Sequence, residues 1–258
     1  MKNRLRVCAV SFLNTTPLVW GMLRGEQRGL FDLDFQIPAV CADQLASGAA
    51  DIGIIPSFEL TRLDLDILPG TGIACHGPVR SILLISKVPA REIRRLAVDS
   101  SSRTSVQLAR VLLAQRYQAK PELAPHPPDL EAMLENADAA LVIGDPALHI
   151  DPDRLPYEVH DLGGEWVEET GLPMVFAVWA GRKEVVTPEV VEAFQHSCRY
   201  GRERIEEIVA AEAPRRGLAP DLVREYLVRH IVHELGPKDY EGLRLFLSRA
   251  RVGLGQSA

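Results

Sequence analysis

Apolar and polar positions along the chain change period several times, and the changes divide it into elements. Apolar "LRVCAVSF" (5–12) reads as a strand. "TPLVW" follows, with Pro17 suited to a first helical turn and Thr16 to the cap, so a helix is expected from there to near Gly29. "FDLDFQIP" (31–38) alternates like a half-buried strand, "CADQLASGAA" predicts a short helix, and "DIGIIP" (51–56) a buried strand. "DILPGTGIACHG" and "VRSILLISKV" continue as extended segments. The order β-α-β-α-β is that of a parallel sheet.

The grammar restarts at "RRLAVD" (94–99). The helix expected over "SSSRTSVQLARVLLAQRY" has Val106, Ala109, Leu113 and Tyr117 on one face. "PELAPHP" predicts a strand, "DLEAMLENA" a helix, and "AALVIG" (139–144) a continuous apolar strand. Asp145 and Pro146 then look like the N-cap and first residue of another helix. From Thr187 the chain reads as helical to the end, with Leu222, Tyr226 and His230 along one face and His230 and His233 on a solvated one. The fold class is therefore α/β in two lobes. Residues 1–87 with 184–258 form lobe 1, which carries the helical tail, and 88–183 form lobe 2. The crossings fall at "VPARE" and "VWAGRKEV".

Composition narrows the function. The 258 residues are 47% hydrophobic, enough for two cores, and the net charge of −6 disfavours a nucleic-acid partner. Cys8, Cys41, Cys75 and Cys198 are scattered, which suits reduced thiols in a cytoplasmic protein rather than disulfides or zinc. The N-terminal segment lacks the apolar core of a signal peptide, and no stretch reaches membrane-spanning length, so neither export nor a membrane partner is expected. The histidines have no metal-ligand spacing, and no phosphate-binding loop or nucleophile elbow follows a strand.

Several strands end in short polar side chains: Asn14-Thr15-Thr16, Ser57, the run from Ser100 to Ser105, and Asp145. In open α/β sheets ligands gather at carboxyl ends of strands, so these groups could line one cleft. In "DSSSRTS" the helix N-terminus offers free amides and partial positive charge, to which Ser101, Ser102, Arg103, Thr104 and Ser105 add hydroxyls and a cation. One hydroxyl before a helix is an ordinary cap; five in the six positions 100–105 favour carboxylate or phosphate binding. Thr16 and Asp145 read as caps before ligands, and with Thr16 as the cap Asn14 is free to face a ligand. Arg80 could clamp an anion or make a surface ion pair.

Together, "SFLNTTPL", "DIGIIPSFE", "GPVRSILLIS", "LAVDSSSRTSVQLARVLL", "VIGDPAL" and "DLGGEWVEETGLPMVFAVWAGR" resemble the chorismate dehydratases of the futalosine route to menaquinone. The chain differs in carrying Phe12-Leu13 before Asn14, where the motif holds a Tyr. The resemblance implies a type II periplasmic-binding-protein-like fold with the ligand at the hinge. It implies conversion of chorismate, a small dianion, to 3-[(1-carboxyvinyl)oxy]benzoate and water, without metal or organic cofactor. It assigns Asn14 and Ser81 to the active site and carboxylate binding to the serine-rich turn, and adds Thr170 and Gly171 of "TGLP" as binding candidates. Two rivals share the fold class: a cytoplasmic small-carboxylate binding protein and a ligand-responsive regulatory domain. The second is disfavoured by the lack of a helix-turn-helix segment or basic patch.

Overall fold

A computed structural model describes residues 4–252. The first lobe opens with β1 (Arg6–Val10), α1 (Thr16–Arg24), β2 (Asp32–Gln36), α2 (Pro38–Ser47), β3 (Ile52–Pro56) and β4 (Asp66–Cys75). The chain continues through β5 (Ile82–Ser86), β6 (Arg95–Asp99), α3 (Arg103–Arg116), β7 (Glu122–His126), α4 (Leu130–Glu135), β8 (Ala139–Ile143), α5 (Asp145–Leu148), β9 (Glu158–Asp161) and α6 (Leu162–Thr170). It returns by β10 (Met174–Gly181) and closes with α7 (Pro188–Arg202), α8 (Ile205–Arg216), α9 (Pro220–Glu225), β11 (Val232–Glu234) and α10 (Pro237–Val252).

Two sheets form, in the orders β11-β4-β10-β3-β1-β2 and β7-β6-β8-β5-β9. β1 pairs in parallel with β2 and β3, as the alternating order requires, and β6 does so with β7 and β8. The uninterrupted apolar runs of β3, β5 and β8 are buried at every residue, as befits strands covered on both faces. β2, at a sheet edge, has no buried residue.

Sheet membership moves the crossings. β5 runs antiparallel between β8 and β9 in the second sheet, and β10 runs antiparallel between β3 and β4 in the first. The chain therefore passes between the sheets at 76–81 and again just before Met174, not at 87/88 and 183/184. An apolar run fits either sheet, so the pattern of β5 and β10 does not say which one receives it.

Other expectations change for local reasons. Leu13–Thr15 form a 3-10 turn, so Thr16 is already helical and its hydroxyl caps nothing. α1 stops at Arg24, before Gly25, rather than near Gly29. Asp145 is the first residue of α5, with Gly144 at its cap. A π-helical turn over Tyr226–His230 ends α9, and β11 then adds to the edge of the first sheet beside β4. His233 thus lies in a strand and is only 3% exposed, instead of on a solvated helix face.

The tail fastens both lobes. α7 packs on α1 so closely that a Cβ on Gly201 would lie 2.2 Å from the Pro17 carbonyl oxygen. α10 packs against β10 and α3, and its Phe246 ring meets Trp166 of α6 edge-on at 5.9 Å.

Candidate functional site

Between the sheets lies a narrow cavity of about 50 Å3. Its floor is apolar, built from Val10, Ile54, Ile73, Val79, Ile143 and Phe176. Its polar groups are Asn14, Thr15, Ser81, Ser102 and Ser105. Three regions distant in sequence thus share one hollow: the corner after β1, the segment before β5, and the N-terminus of α3. The roof is Phe12, whose ring lies over Gly144; a Cβ there would be 2.7–2.8 Å from three ring atoms, and Gly144 has φ +64°. Glycine is the residue that tolerates both the conformation and the contact.

The serine-rich turn splits into two functions. Ser102 is the N-cap of α3, accepting from the Ser105 N–H at 3.3 Å, and the two hydroxyl oxygens are 3.0 Å apart. Both line the cavity, beside the amides that a helix's first turn leaves unpaired. Thr104 turns the other way: its hydroxyl oxygen accepts from the Phe58 N–H at 3.1 Å and lies 3.4 Å from Ser57 Oγ. Ser57 is buried and donates to the Val175 carbonyl at 2.7 Å. The Ser101 carbonyl accepts from the Ala39 N–H at 3.0 Å, while its own hydroxyl oxygen is buried without a partner. Thr104, Ser57 and Ser101 therefore join the lobes rather than line the hollow.

Neither arginine serves as an anion clamp in the cavity. Arg80 donates to the carbonyls of Ala147 and Ile150 at 3.0 and 2.6 Å, completing the end of α5. Its backbone, at φ +65°, donates to Asp161. Arg103 reaches outward to Glu59 at 3.1 Å and Asp43 at 3.0 Å. Thr170 donates to the Trp166 carbonyl at 2.7 Å, and Gly171 supplies the left-handed cap of α6. "TGLP" therefore ends a helix, and neither residue lines the cavity. Asp145 accepts from the Leu13 N–H at 2.9 Å and pairs with Arg216, which also donates to Glu212 at 2.9 Å. It is a clasp between α5 and the first lobe. Burial raises the Asp145 carboxyl above its ordinary value, against the pull of Arg216 and the Leu13 N–H.

Asn14 and Ser81 do converge, and through a residue the strand-end reading missed. Tyr226, 1% exposed, donates to Ser81 Oγ at 2.8 Å and accepts from Asn14 Nδ2 at 3.2 Å. The Thr15 hydroxyl approaches Asn14 Oδ1 at 3.4 Å. Behind them His233 donates its Nε2–H to the Asn14 carbonyl at 2.9 Å, and burial lowers the imidazole to about 4, keeping it neutral. The aromatic face of the tail helix was the one available signal for Tyr226; nothing local marked His233. Among the described residues, no charged side chain lines the cavity and no three His, Cys, Asp or Glu gather as a metal site. Nor is any helix among them long and apolar enough to cross a membrane.

A profile described as menaquinone biosynthesis matches residues 5–252. The chain belongs to the menaquinone-biosynthesis family. It is 35% identical over 228 residues to a chorismate dehydratase from Thermus thermophilus, covering 81% of this chain and 83% of that one. Among solved structures, a protein from Archaeoglobus fulgidus is similar at TM-score 0.76 and 18% identity, with 98% of each chain covered. The periplasmic aliphatic sulphonate binding protein of Escherichia coli is similar at TM-score 0.66 and 14% identity, covering 99% of this chain and 88% of that one. The alkanesulfonate-binding protein of Xanthomonas axonopodis pv. citri, solved with MOPS, reaches TM-score 0.69 at 16% identity, covering 98% and 93%. The fold is that of the periplasmic binding proteins, with its two sheets facing across the cavity.

Proposed function

We propose that the protein is a hydro-lyase converting chorismate to 3-[(1-carboxyvinyl)oxy]benzoate and water, a cytoplasmic step of the futalosine route to menaquinone. The observation that carries this reading is the 35% identity to a chorismate dehydratase over most of both chains. The joining of Asn14, Ser81, Ser102 and Ser105 around one hollow supports it.

The chemistry suits neutral donors. Loss of the C3 proton and the C4 hydroxyl makes the ring aromatic, which supplies the driving force. As the proton leaves, charge spreads onto the ring carboxylate, so hydrogen-bond donors aimed there stabilise the transition state more than the ground state. Ser102, Ser105 and the first amides of α3 form such an array. Asn14 is a neutral amide and a weak base. Our reading is that it holds the substrate's enolpyruvyl carboxylate, which takes the C3 proton intramolecularly; a held group can contribute on the order of 7 kcal/mol. Ser81 donates to the departing hydroxyl.

The test is direct. Purified protein mixed with chorismate should yield a product lighter by one water, with an aromatic ultraviolet spectrum. Tight binding of unchanged chorismate would refute the enzyme reading in favour of a binding module. Full activity in Asn14→Ala would remove Asn14 from the scheme.

A further inference from the structure

Tyr226 stands in the turn after α9, 145 residues from Ser81 and 212 from Asn14, yet its hydroxyl touches both. A phenol has one proton to give. Because it is given to Ser81 Oγ, the serine's own hydrogen must point elsewhere, and Ser81 is buried at the cavity wall. Because the phenol oxygen accepts from Asn14 Nδ2, the amide is held in one of its two flips, with Oδ1 on the other side. A chain of bonds running in one direction strengthens its terminal donor.

We propose that Tyr226 is a positioning residue for the dehydration: it sets Ser81 as a hydrogen-bond donor toward the substrate and pins the Asn14 amide. The inference rests on the dehydratase reading above. The proton balance closes without Tyr226 losing its own. The C3 proton passes to the substrate's carboxylate, the C4 hydroxyl leaves with its electron pair, and the two combine as water. Burial raises the phenol above its ordinary range, so it stays protonated throughout. A phenylalanine would fill the same space and leave both neighbours without their partner.

The experiment measures kcat and KM for chorismate, and Tm, in wild type, Tyr226→Phe, Ser81→Ala and the double variant. Tyr226→Phe should lower kcat by about tenfold to a hundredfold, the range one hydrogen bond to a reacting group covers, with KM within about threefold. In the Ser81→Ala background the same change should cost at least about threefold less than in wild type, because the part of its effect that runs through Ser81 is already gone and only the part through Asn14 remains. Retention of kcat within about twofold would overturn the proposal, as would equal losses in both backgrounds. Should Tyr226→Phe not fold, a ring-fluorinated tyrosine at 226 keeps the hydroxyl and strengthens it as a donor; kcat should then change at constant KM, and an unchanged kcat would overturn the proposal. Wild type inert toward chorismate would refute the dehydratase reading itself, and this inference with it. That failure is distinct because it appears before any variant is made.

Discussion

Asp145→Asn changes one atom type at the contact between the lobes and tests whether the clasp governs closure. The carboxylate ties α5 to two parts of the first lobe, the Leu13 amide and Arg216, with side chains 18% and 11% exposed for the ion pair. Asparagine keeps an acceptor for Leu13 and loses the charge. Removing one partner of a buried pair costs about 3–5 kcal/mol when the other is stranded. Arg216 is not stranded, since Glu212 still holds it at 2.9 Å. The loss is then about 2 kcal/mol, the scale of one charged hydrogen bond, or about 30-fold in an equilibrium. Because these contacts join the lobes, the cost falls on the closed form. Burial opposes the Asp145 charge, so about 2 kcal/mol is the upper bound on what the neutral side chain gives up. The expected result is a larger radius of gyration by small-angle scattering, faster hydrogen exchange at the Leu13 amide, and a KM for chorismate raised by up to about 30-fold. A fall in Tm with radius, exchange and KM all unchanged would refute the reasoning.

Two further outcomes follow from buried polar groups. Thr104→Val keeps the shape but strands the Phe58 N–H, which should cost about 1–3 kcal/mol and lower Tm by several degrees; thermal unfolding measures it. His233 is held near 4 by burial, against about 6.5 when unfolded, so the unfolded chain takes up the proton first as pH falls. Its contribution is complete above about pH 6.5 and is lost toward pH 4, by up to about 3 kcal/mol, in urea titrations; His233→Gln should flatten that limb, and an equal slope in both would refute it.

Most elements were legible because their signals are local. The apolar runs of β3 and β8 and the cap of α3 need only neighbouring residues. What sequence hid was partnership at long range. Arg80 and Arg103 look like anion ligands while their acceptors are unknown; Ile150 and Glu59 turn out to occupy them. Ser57 and Thr104 look like ligands at strand ends and instead satisfy each other's neighbourhoods across the lobes. Asn14 and Ser81 were identified through resemblance to a family, and their convergence depends on Tyr226 in the distant tail. β11 escaped notice because three residues carry too little periodicity to separate from a helix.

The hollow is walled by alcohols, amides and hydrocarbon and offers a guest no fixed opposite charge from a side chain. Dissolved ions weaken long-range attraction between full charges far more than short contacts made behind a closed roof. Affinity in such a chamber should therefore be nearly indifferent to ionic strength, and discrimination among anions should follow molecular outline rather than valence.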